Sequence, residues 1–151
     1  MENSKTIAQN KKAYHDYHIL ETLEAGIALK GTEIKSIRDG KINIRDAYAK
    51  AENGQMYLCN AHISKYQASS YFDHDPDRRR KLLLHKYQIY DLADEAIKKG
   101  LTIVPLKVYL KKGKAKVELG LAKGKKAFDK REVMAKRSSD REIERTLKRR
   151  V

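Results

Sequence analysis

The sequence predicts a mainly β fold with short helices, followed by a basic C-terminal tail. Short segments with alternating apolar and polar side chains recur from Asp16 to Leu121, as in half-buried strands. Asn53-Gly54 is a strong hairpin signal, because both turn residues of a type I′ turn need positive φ. Residues 123–151 hold twelve lysines and arginines and five acids, a net +7 of the chain's +14. We therefore expect a folded body at 1–122 and a basic tail at 123–151.

The N-terminal part predicts an arm and then a long strand. Residues 1–13 are polar and are expected to form a mobile arm. The strand after Asp16 should bend or bulge at Gly26, where glycine interrupts the alternation. Its apolar residues of one parity are Tyr17, Ile19, Leu23, Ile27 and Leu29.

A short helix and a hairpin are predicted next. Thr32 can cap the helix, Ile34 and Ile37 would face inward, and Gly40 would end it. Strands at about 46–52 and 55–66 should flank the Asn53-Gly54 turn. The returning strand would carry one face made of Tyr57, Cys59, Ala61 and Ile63.

The remaining body predicts an irregular segment, a helix and a second hairpin. Residues 67–81 are polar, Asp75-Pro76 favours a turn, and the three leucines at 82–84 are expected in the core. A helix should follow to about Lys99, stopped by Gly100. Its apolar stripe is Ile89, Leu92, Ala93, Ala96 and Ile97. The inward residues of the last two strands are Val104, Leu106, Val108, Leu110, Val117, Leu119 and Leu121, with Pro105 marking an edge or a bulge.

The order of these elements is a long strand, two strands, a helix and two strands. A five-stranded Greek-key antiparallel barrel of the OB-fold type has this order, with its helix between the third and fourth strands. The helix near Thr32 would be an addition to it. A small α+β sheet would give a similar order.

Charge and composition narrow the function classes. A net charge of +14 and a pI near 9.8 favour RNA, DNA or an anionic surface as partner, with a merely soluble basic surface as the alternative. No apolar run reaches the roughly 18 residues of a membrane span, and the first fifteen residues show no secretory signal. Cys59 is the single cysteine, which excludes an intramolecular disulfide and suits a reducing cytoplasm.

Catalytic chemistry has little support in the sequence. Asp73, His74 and Asp75 are adjacent, as are His15, Asp16 and His18, but neither trio has the spacing of a known metal motif. We therefore expect no metal, no cofactor and no enzymatic activity. Tyrosines interleaved with basic residues are better suited to stack on exposed bases, namely Tyr14, Tyr17, Tyr66, Tyr71, Tyr87 and Tyr90.

Four long motifs resemble one family. They are NKKAYHDY at 10–17, EAGIALKGTEIKSIR at 24–38, DPDRRRKLLLH at 75–85 and GKKAFDKR at 124–131. Together they are similar to the SsrA-binding protein, or small protein B, over residues 8–131. The resemblance implies an OB-type barrel with a tail that is disordered in the free protein. It implies a non-enzymatic adaptor of bacterial trans-translation. Such adaptors bind the tRNA-like domain of transfer-messenger RNA and deliver it, together with elongation factor Tu, to stalled ribosomes.

The motifs also assign residues to the two expected partners. Residues expected at the RNA surface are Asn10, Lys11, Lys12, Tyr14, Glu24, Lys35, Arg38, Arg78, Arg80, Lys81 and His85. Residues expected in a ribosome-probing tail are Gly124, Lys125, Lys126, Phe128, Asp129, Lys130 and Arg131. The family has a histidine or an aromatic residue at the position of Phe128. Because phenylalanine cannot transfer a proton, a proton-transfer role is excluded for this chain, whereas stacking on ribosomal RNA remains open. A cytoplasmic monomer is expected. A structural ribosomal protein and an RNA-processing nuclease are the rival interpretations.

Overall fold

A computed structural model describes residues 4–66 and 73–125. These residues form three short helices and nine strands, and all strand pairings are antiparallel. The elements are β1 (Ser4–Gln9), α1 (Lys11–Asp16), β2 (Tyr17–Ile27), α2 (Gly31–Arg38), β3 (Ile42–Asn43), β4 (Tyr48–Glu52), β5 (Gln55–Cys59), β6 (His62–Ile63), β7 (Arg80–Leu83), α3 (Lys86–Lys99), β8 (Thr102–Lys111) and β9 (Lys114–Gly124). The prediction of a mainly β fold with short helices is confirmed.

Six strands form a nearly closed ring around the apolar core. Their order is β8-β4-β5-β7-β2-β9, and β9 pairs again with β8. The ring has one strand more than the five expected, because Arg80–Leu83 pairs with both β5 and β2. The polar segment before this strand concealed it in the sequence. The core inside the ring includes Met56, Leu58, Leu82, Val117 and Leu119.

The expected mobile arm is corrected for its described residues, 4–13. β1 pairs with β8 from Ser4 opposite Lys111 to Gln9 opposite Lys107, and α1 follows directly. The polar side chains of residues 4–9 concealed this strand. β1 pairs with residues 107–111 of β8, beyond the point where β4 pairs at Ile103, and most of its own side chains remain exposed. Backbone hydrogen bonds to β8 hold it, together with the partly buried Ile7 and Ala8, which pack against the core.

Two bulges determine which residues reach the core. The bulge of β2 lies between Ile19 and Glu21 and not at Gly26, so Ile19 packs in a second cluster with Val104 and Leu106, away from the main core. A second bulge lies between Pro105 and Lys107 in β8, as one of the two alternatives for Pro105 predicted. The inner face expected for β8 is therefore divided, since Ile103 and Val108 belong to the main core.

Local turn chemistry agrees with the sequence at both hairpins. Asn53 and Gly54 have φ of 52° and 75°, and Lys112 and Gly113 have φ of 52° and 76°. The returning strand, however, stops at Cys59 because Asn60 adopts a φ of 61°. Its inward residues before that break are Met56 and Leu58 rather than Tyr57.

α2 and α3 lie close to their expected positions, whereas α1 was not predicted from the sequence. α2 begins at Gly31 and not at Thr32, and the Glu33 carboxylate accepts a hydrogen bond from the backbone N–H of Lys30 at 2.8 Å. α3 ends at Gly100, whose φ is 63°. The prediction that Ile97 belongs to the buried apolar stripe of α3 is wrong, since Ile97 is 83% exposed.

Candidate nucleic-acid interface

The exposed residues predicted to bind RNA lie in separate patches. One patch is a shallow groove beside β7, here called the β7 groove, which Glu24, Lys81, His85, Lys86 and Lys116 help to line. β7 alternates, so Arg80 and Leu82 are buried while Lys81 and Leu83 face solvent. Leu83 is 52% exposed, which corrects its expected place in the core. The groove thus combines lysine charge with exposed apolar surface.

Lys116 and Lys86 are groove residues that were not assigned to the RNA surface from the sequence. Lys116 pairs across the ladder with Gly26, two positions from Glu24 on β2. The alternation of β9 predicted that Lys116 points outward, but only the β2–β9 register brings it to the β7 groove, across β2 from Leu83. Lys86 is the first residue of α3 and follows His85 directly.

Glu24 is an ionised acceptor within this basic groove. The hydroxyl of Tyr109 donates to its Oε2, and Lys111 Nζ lies 3.5 Å from the same oxygen. The hydrogen bond from Tyr109 and the charge of Lys111 hold the pKa of the Glu24 carboxyl below its ordinary value, against a smaller opposing effect of burial. A carboxylate repels phosphate, so Glu24 is suited to accept hydrogen bonds from base N–H or ribose hydroxyl groups.

A second patch lies on α1, at the other end of β2. Lys11 and Lys12 are exposed, Tyr14 is 50% exposed, and Lys12 Nζ pairs with Asp46 at 2.6 Å. Tyr17 lies beside this patch, and Glu24 is seven positions further along β2, which corresponds to about 23 Å of strand. An RNA that contacts both patches must therefore extend along the β2–β9 ladder.

Asn10 has a structural role in this patch. Its side chain is 2% exposed, its Nδ2 donates to the carbonyls of Ile44 at 3.1 Å and Pro105 at 2.9 Å, and its Oδ1 accepts from Ala13 N at 3.1 Å. These bonds fix the first turn of α1 to the ring. The amide is therefore bonded within the protein, and the RNA contact expected for Asn10 stays a prediction.

Arg80 is also buried and supports the surface from below. Its side chain has no exposed area, its Nε donates to Glu33 Oε2 at 2.6 Å, and its Nη1 donates to the carbonyl of Ala61 at 2.7 Å. The side chain is therefore bonded within the protein, and the RNA contact expected for Arg80 stays a prediction. Residues 80–83 are Arg, Lys, Leu and Leu, which do not alternate between polar and apolar types, so no sequence signal indicated that Arg80 faces inward.

The neighbouring arginines are largely neutralised by acids. Arg78 Nη2 lies 2.5 Å from Glu33 Oε1, and Arg79 Nη1 lies 2.5 Å from Glu52 Oε2. Burial raises the pKa of Glu33, but hydrogen bonds from Arg78, Lys30 N–H and Arg80 together hold it below its ordinary value. The arginine run therefore contributes less free positive charge to the surface than its sequence indicates.

The two candidates on α2 are exposed. Arg38 Nη2 is 3.5 Å from the carbonyl of Gly113, in the β8–β9 turn. Lys35 Nζ lies 5.5 Å from the ring centroid of Tyr66.

Of the tail candidates, Gly124 ends β9, and Lys125 donates through N to Asp16 O at 2.8 Å and through Nζ to Tyr14 O at 3.1 Å. The tail candidates outside the described residues are Lys126, Phe128, Asp129, Lys130 and Arg131, as is the stacking candidate Tyr71.

The residues suggested for metal chemistry have structural contacts. His74 is 1% exposed, and its Nε2 donates to Ile63 O at 2.8 Å while its Nδ1 lies 2.9 Å from Thr32 Oγ1. In the described ranges, no three His, Cys, Asp or Glu side chains converge as metal ligands would. No helix within those ranges combines the length and apolar character needed to cross a membrane.

Comparisons with known proteins identify the same family as the four sequence motifs. The model of the SmpB protein family matches residues 7–149. The SsrA-binding protein of Carboxydothermus hydrogenoformans is 61% identical over 144 residues, covering 95% of this chain and 97% of the relative, and that of Ligilactobacillus salivarius is 59% identical over 142 residues, covering 94% and 92%. A solved structure described as "tmRNA-SmpB: a journey to the center of the bacterial ribosome" superposes with a TM-score of 0.67 at 55% identity, covering 80% of this chain and 85% of that one. The chain belongs to the SmpB protein family.

Proposed function

We propose that this protein binds transfer-messenger RNA, the SsrA RNA, and acts with it at the ribosome in trans-translation. It works as a binding protein without enzymatic activity. Membership of the SmpB family supports this function, and so does the likeness to a solved structure whose description joins SmpB, transfer-messenger RNA and the ribosome. The net charge of +14 suits an RNA partner.

The body is proposed to bind the tRNA-like domain of that RNA. The observation that carries this is the β7 groove, where lysines and exposed apolar side chains surround the ionised Glu24. Such a surface can neutralise phosphates and also accept hydrogen bonds from bases or ribose. Lys81, His85 and Glu24 are the proposed contacts in this groove, and Lys11, Lys12 and Tyr14 are the proposed contacts at the other end of β2.

The ring is proposed to be an OB-type Greek-key barrel. β4, β5 and β7 are consecutive neighbours in the ring, and β2, which precedes them in the chain, lies beside β7. This is the Greek-key arrangement, and α3 precedes the final β8–β9 hairpin as the barrel helix of that fold would. The protein is also proposed to be a cytoplasmic monomer, and the free, buried Cys59 suits the reducing cytoplasm.

The C-terminal residues are proposed to enter the empty messenger RNA channel of a stalled ribosome and reach its decoding centre. Their excess of Lys and Arg suits an RNA-walled channel, which bound messenger RNA would close to them. Elongation factor Tu is an indirect partner in the delivery complex. The boundary of the body is proposed at Lys125 and not at Ala122, because Lys123 and Gly124 pair with β2 and Lys125 N donates to Asp16 O.

Purification from a bacterial lysate tests the function directly. The full chain should retain transfer-messenger RNA as its main RNA and associate with stalled ribosomes more than with idle subunits. A chain ending after Lys125 should fold and keep most RNA binding but lose tagging of stalled nascent chains. Equal retention on idle subunits without transfer-messenger RNA would favour a structural ribosomal protein. Magnesium-dependent cleavage of labelled RNA would favour a nuclease.

A further inference from the structure

The junction of β7 and α3 presents a preformed pair of parallel rings. The imidazole of His85 and the phenol ring of Tyr87 have centroids 5.5 Å apart and an interplanar angle of 9°. Both residues are exposed, and Tyr87 is 65% exposed. The side chain of Gln88 accepts a hydrogen bond from His85 N at 2.9 Å, which helps to fix the start of α3.

We propose that the exposed face of the His85–Tyr87 pair is a platform on which an unpaired nucleobase of the bound RNA stacks. This inference rests on the proposed function and names the feature of the RNA that the β7 groove recognises. A base in a regular duplex has both faces covered by its neighbours, so the platform requires a looped-out or single-stranded nucleotide. The stacked rings are already parallel, which reduces the ordering needed when a base is added.

Charge on either side of the platform directs the RNA backbone. Lys81, Lys86 and Lys116 line the β7 groove together with His85. Tyr87 also borders a different groove, between α3 and the β2–β9 ladder, where the acidic residues are Glu21, Asp91, Asp94 and Glu95. Phosphates are attracted to the first groove and repelled by the second. The base therefore reaches the rings from the lysine side.

Glu24 gives this arrangement a means of selecting the base or its ribose. It lines the same groove as His85, and its carboxylate is held ionised by Tyr109 and Lys111. A carboxylate accepts hydrogen bonds from exocyclic amino groups, ring N–H groups and 2′-hydroxyls. Stacking would supply affinity with little preference among bases, and Glu24 would favour those that present a donor.

A single tryptophan reports stacking directly. The chain has no tryptophan, so Tyr87→Trp introduces one fluorophore at the platform. Tyr90→Trp is the matched control, because Tyr90, although a stacking candidate from the sequence, is 70% exposed on the same helix and is outside the His85–Tyr87 pair. With the transcribed tRNA-like domain as probe, the indole of the Tyr87→Trp variant should be quenched and that of the Tyr90→Trp variant much less so. The Tyr87→Trp variant should keep its full fluorescence when a fully paired RNA duplex binds.

Affinity completes the test. Tyr87→Ala should weaken binding of the tRNA-like domain roughly 5- to 100-fold, the range of one base–aromatic stack. Tyr87→Phe should retain affinity, since the ring remains. If the RNA binds the Tyr87→Trp variant, by gel shift, without quenching it, and binds Tyr87→Ala as tightly as the parent, the platform is excluded while the proposed function stands. If Tyr87→Ala weakens ribosome binding alone, the pair contacts another partner and the platform is also excluded. Failure of the unsubstituted chain to bind this RNA would exclude both.

Discussion

Replacing Glu33 by glutamine tests whether one buried carboxylate stabilises the start of β7, beside the proposed RNA-binding groove. The Glu33 side chain has no exposed area and accepts hydrogen bonds from Arg78 at 2.5 Å, Arg80 at 2.6 Å and Lys30 N at 2.8 Å. It joins α2 to the segment that begins β7. Glutamine keeps the shape of glutamate, but it removes the charge and turns an amide N–H₂ toward a guanidinium.

The expected loss of stability follows from the burial of Arg80. Because Arg80 is also fully buried, Glu33→Gln leaves its charge without a carboxylate partner. Removing one partner of a buried ion pair destabilises a protein by about 3–5 kcal/mol. In a domain of this size that corresponds to a fall in Tm of about 10–20 °C.

The same site gives stability a defined pH dependence. The pKa of Glu33 is lower in the folded chain than its ordinary value, so its contribution is present above the unfolded pKa of about 4.3 and is lost as pH falls through the folded pKa. Glu33→Gln should therefore reduce the difference between Tm at neutral pH and Tm in acid.

Thermal melting of matched variants provides the assay. Glu52→Gln is the control, because Glu52 makes an equally short contact with Arg79 but on the exposed surface, where pairing contributes little. Its Tm should stay close to that of the parent. If Glu33→Gln melts with the parent at neutral pH, Arg80 does not depend on this carboxylate and the inferred role of the buried pair is wrong.

Three further outcomes are expected. Gly120→Ala should lower stability by about 1–3 kcal/mol in denaturant titrations, because a Cβ would lie 2.8 Å from the buried Leu106 Cδ1; Gly124→Ala has open space and serves as control. RNA affinity should fall with salt at a log–log slope of about −3 to −5, and Lys116→Ala should reduce that slope by roughly one, whereas an unchanged slope would remove Lys116 from the interface. Tyr109→Phe should raise the pKa of Glu24 when it is titrated by NMR, and an unaltered titration would show that this hydroxyl does not hold the carboxylate.

Local chemistry made several elements predictable from the sequence. The Asn53-Gly54 turn and the end of α3 at Gly100 depend on backbone conformations that few residues adopt, so the residue types identify them. Val117, Leu119 and Leu121 are all buried as their alternation predicted, because β9 has no bulge on its own chain to change their parity. Four long motifs were sufficient to identify the family.

The candidate site was predictable in outline only. Lys81, His85 and Glu24 lie together as the resemblance led us to expect, but Asn10 and Arg80 are interior residues whose polar groups are bonded to the protein. Polar residue type indicates the surface on average, yet a buried amide or guanidinium is stable when its hydrogen bonds are satisfied. Those partners lie far away in the sequence, so the residue types near Asn10 and Arg80 do not indicate them.

The sequence by itself determined the two hairpin turns, the helices α2 and α3, the excess of positive charge and the family. Only the tertiary structure decided that residues 4–9 add a strand to β8, that the bulges at Leu20 and Leu106 divide the apolar residues between two clusters, and that Lys116 lines the β7 groove. The physical reason is that strand pairing joins segments far apart in sequence through backbone groups, which every residue carries alike. The register between paired strands therefore depends on how the whole ring closes, and this register determines which side chains lie together at the proposed RNA-binding surface.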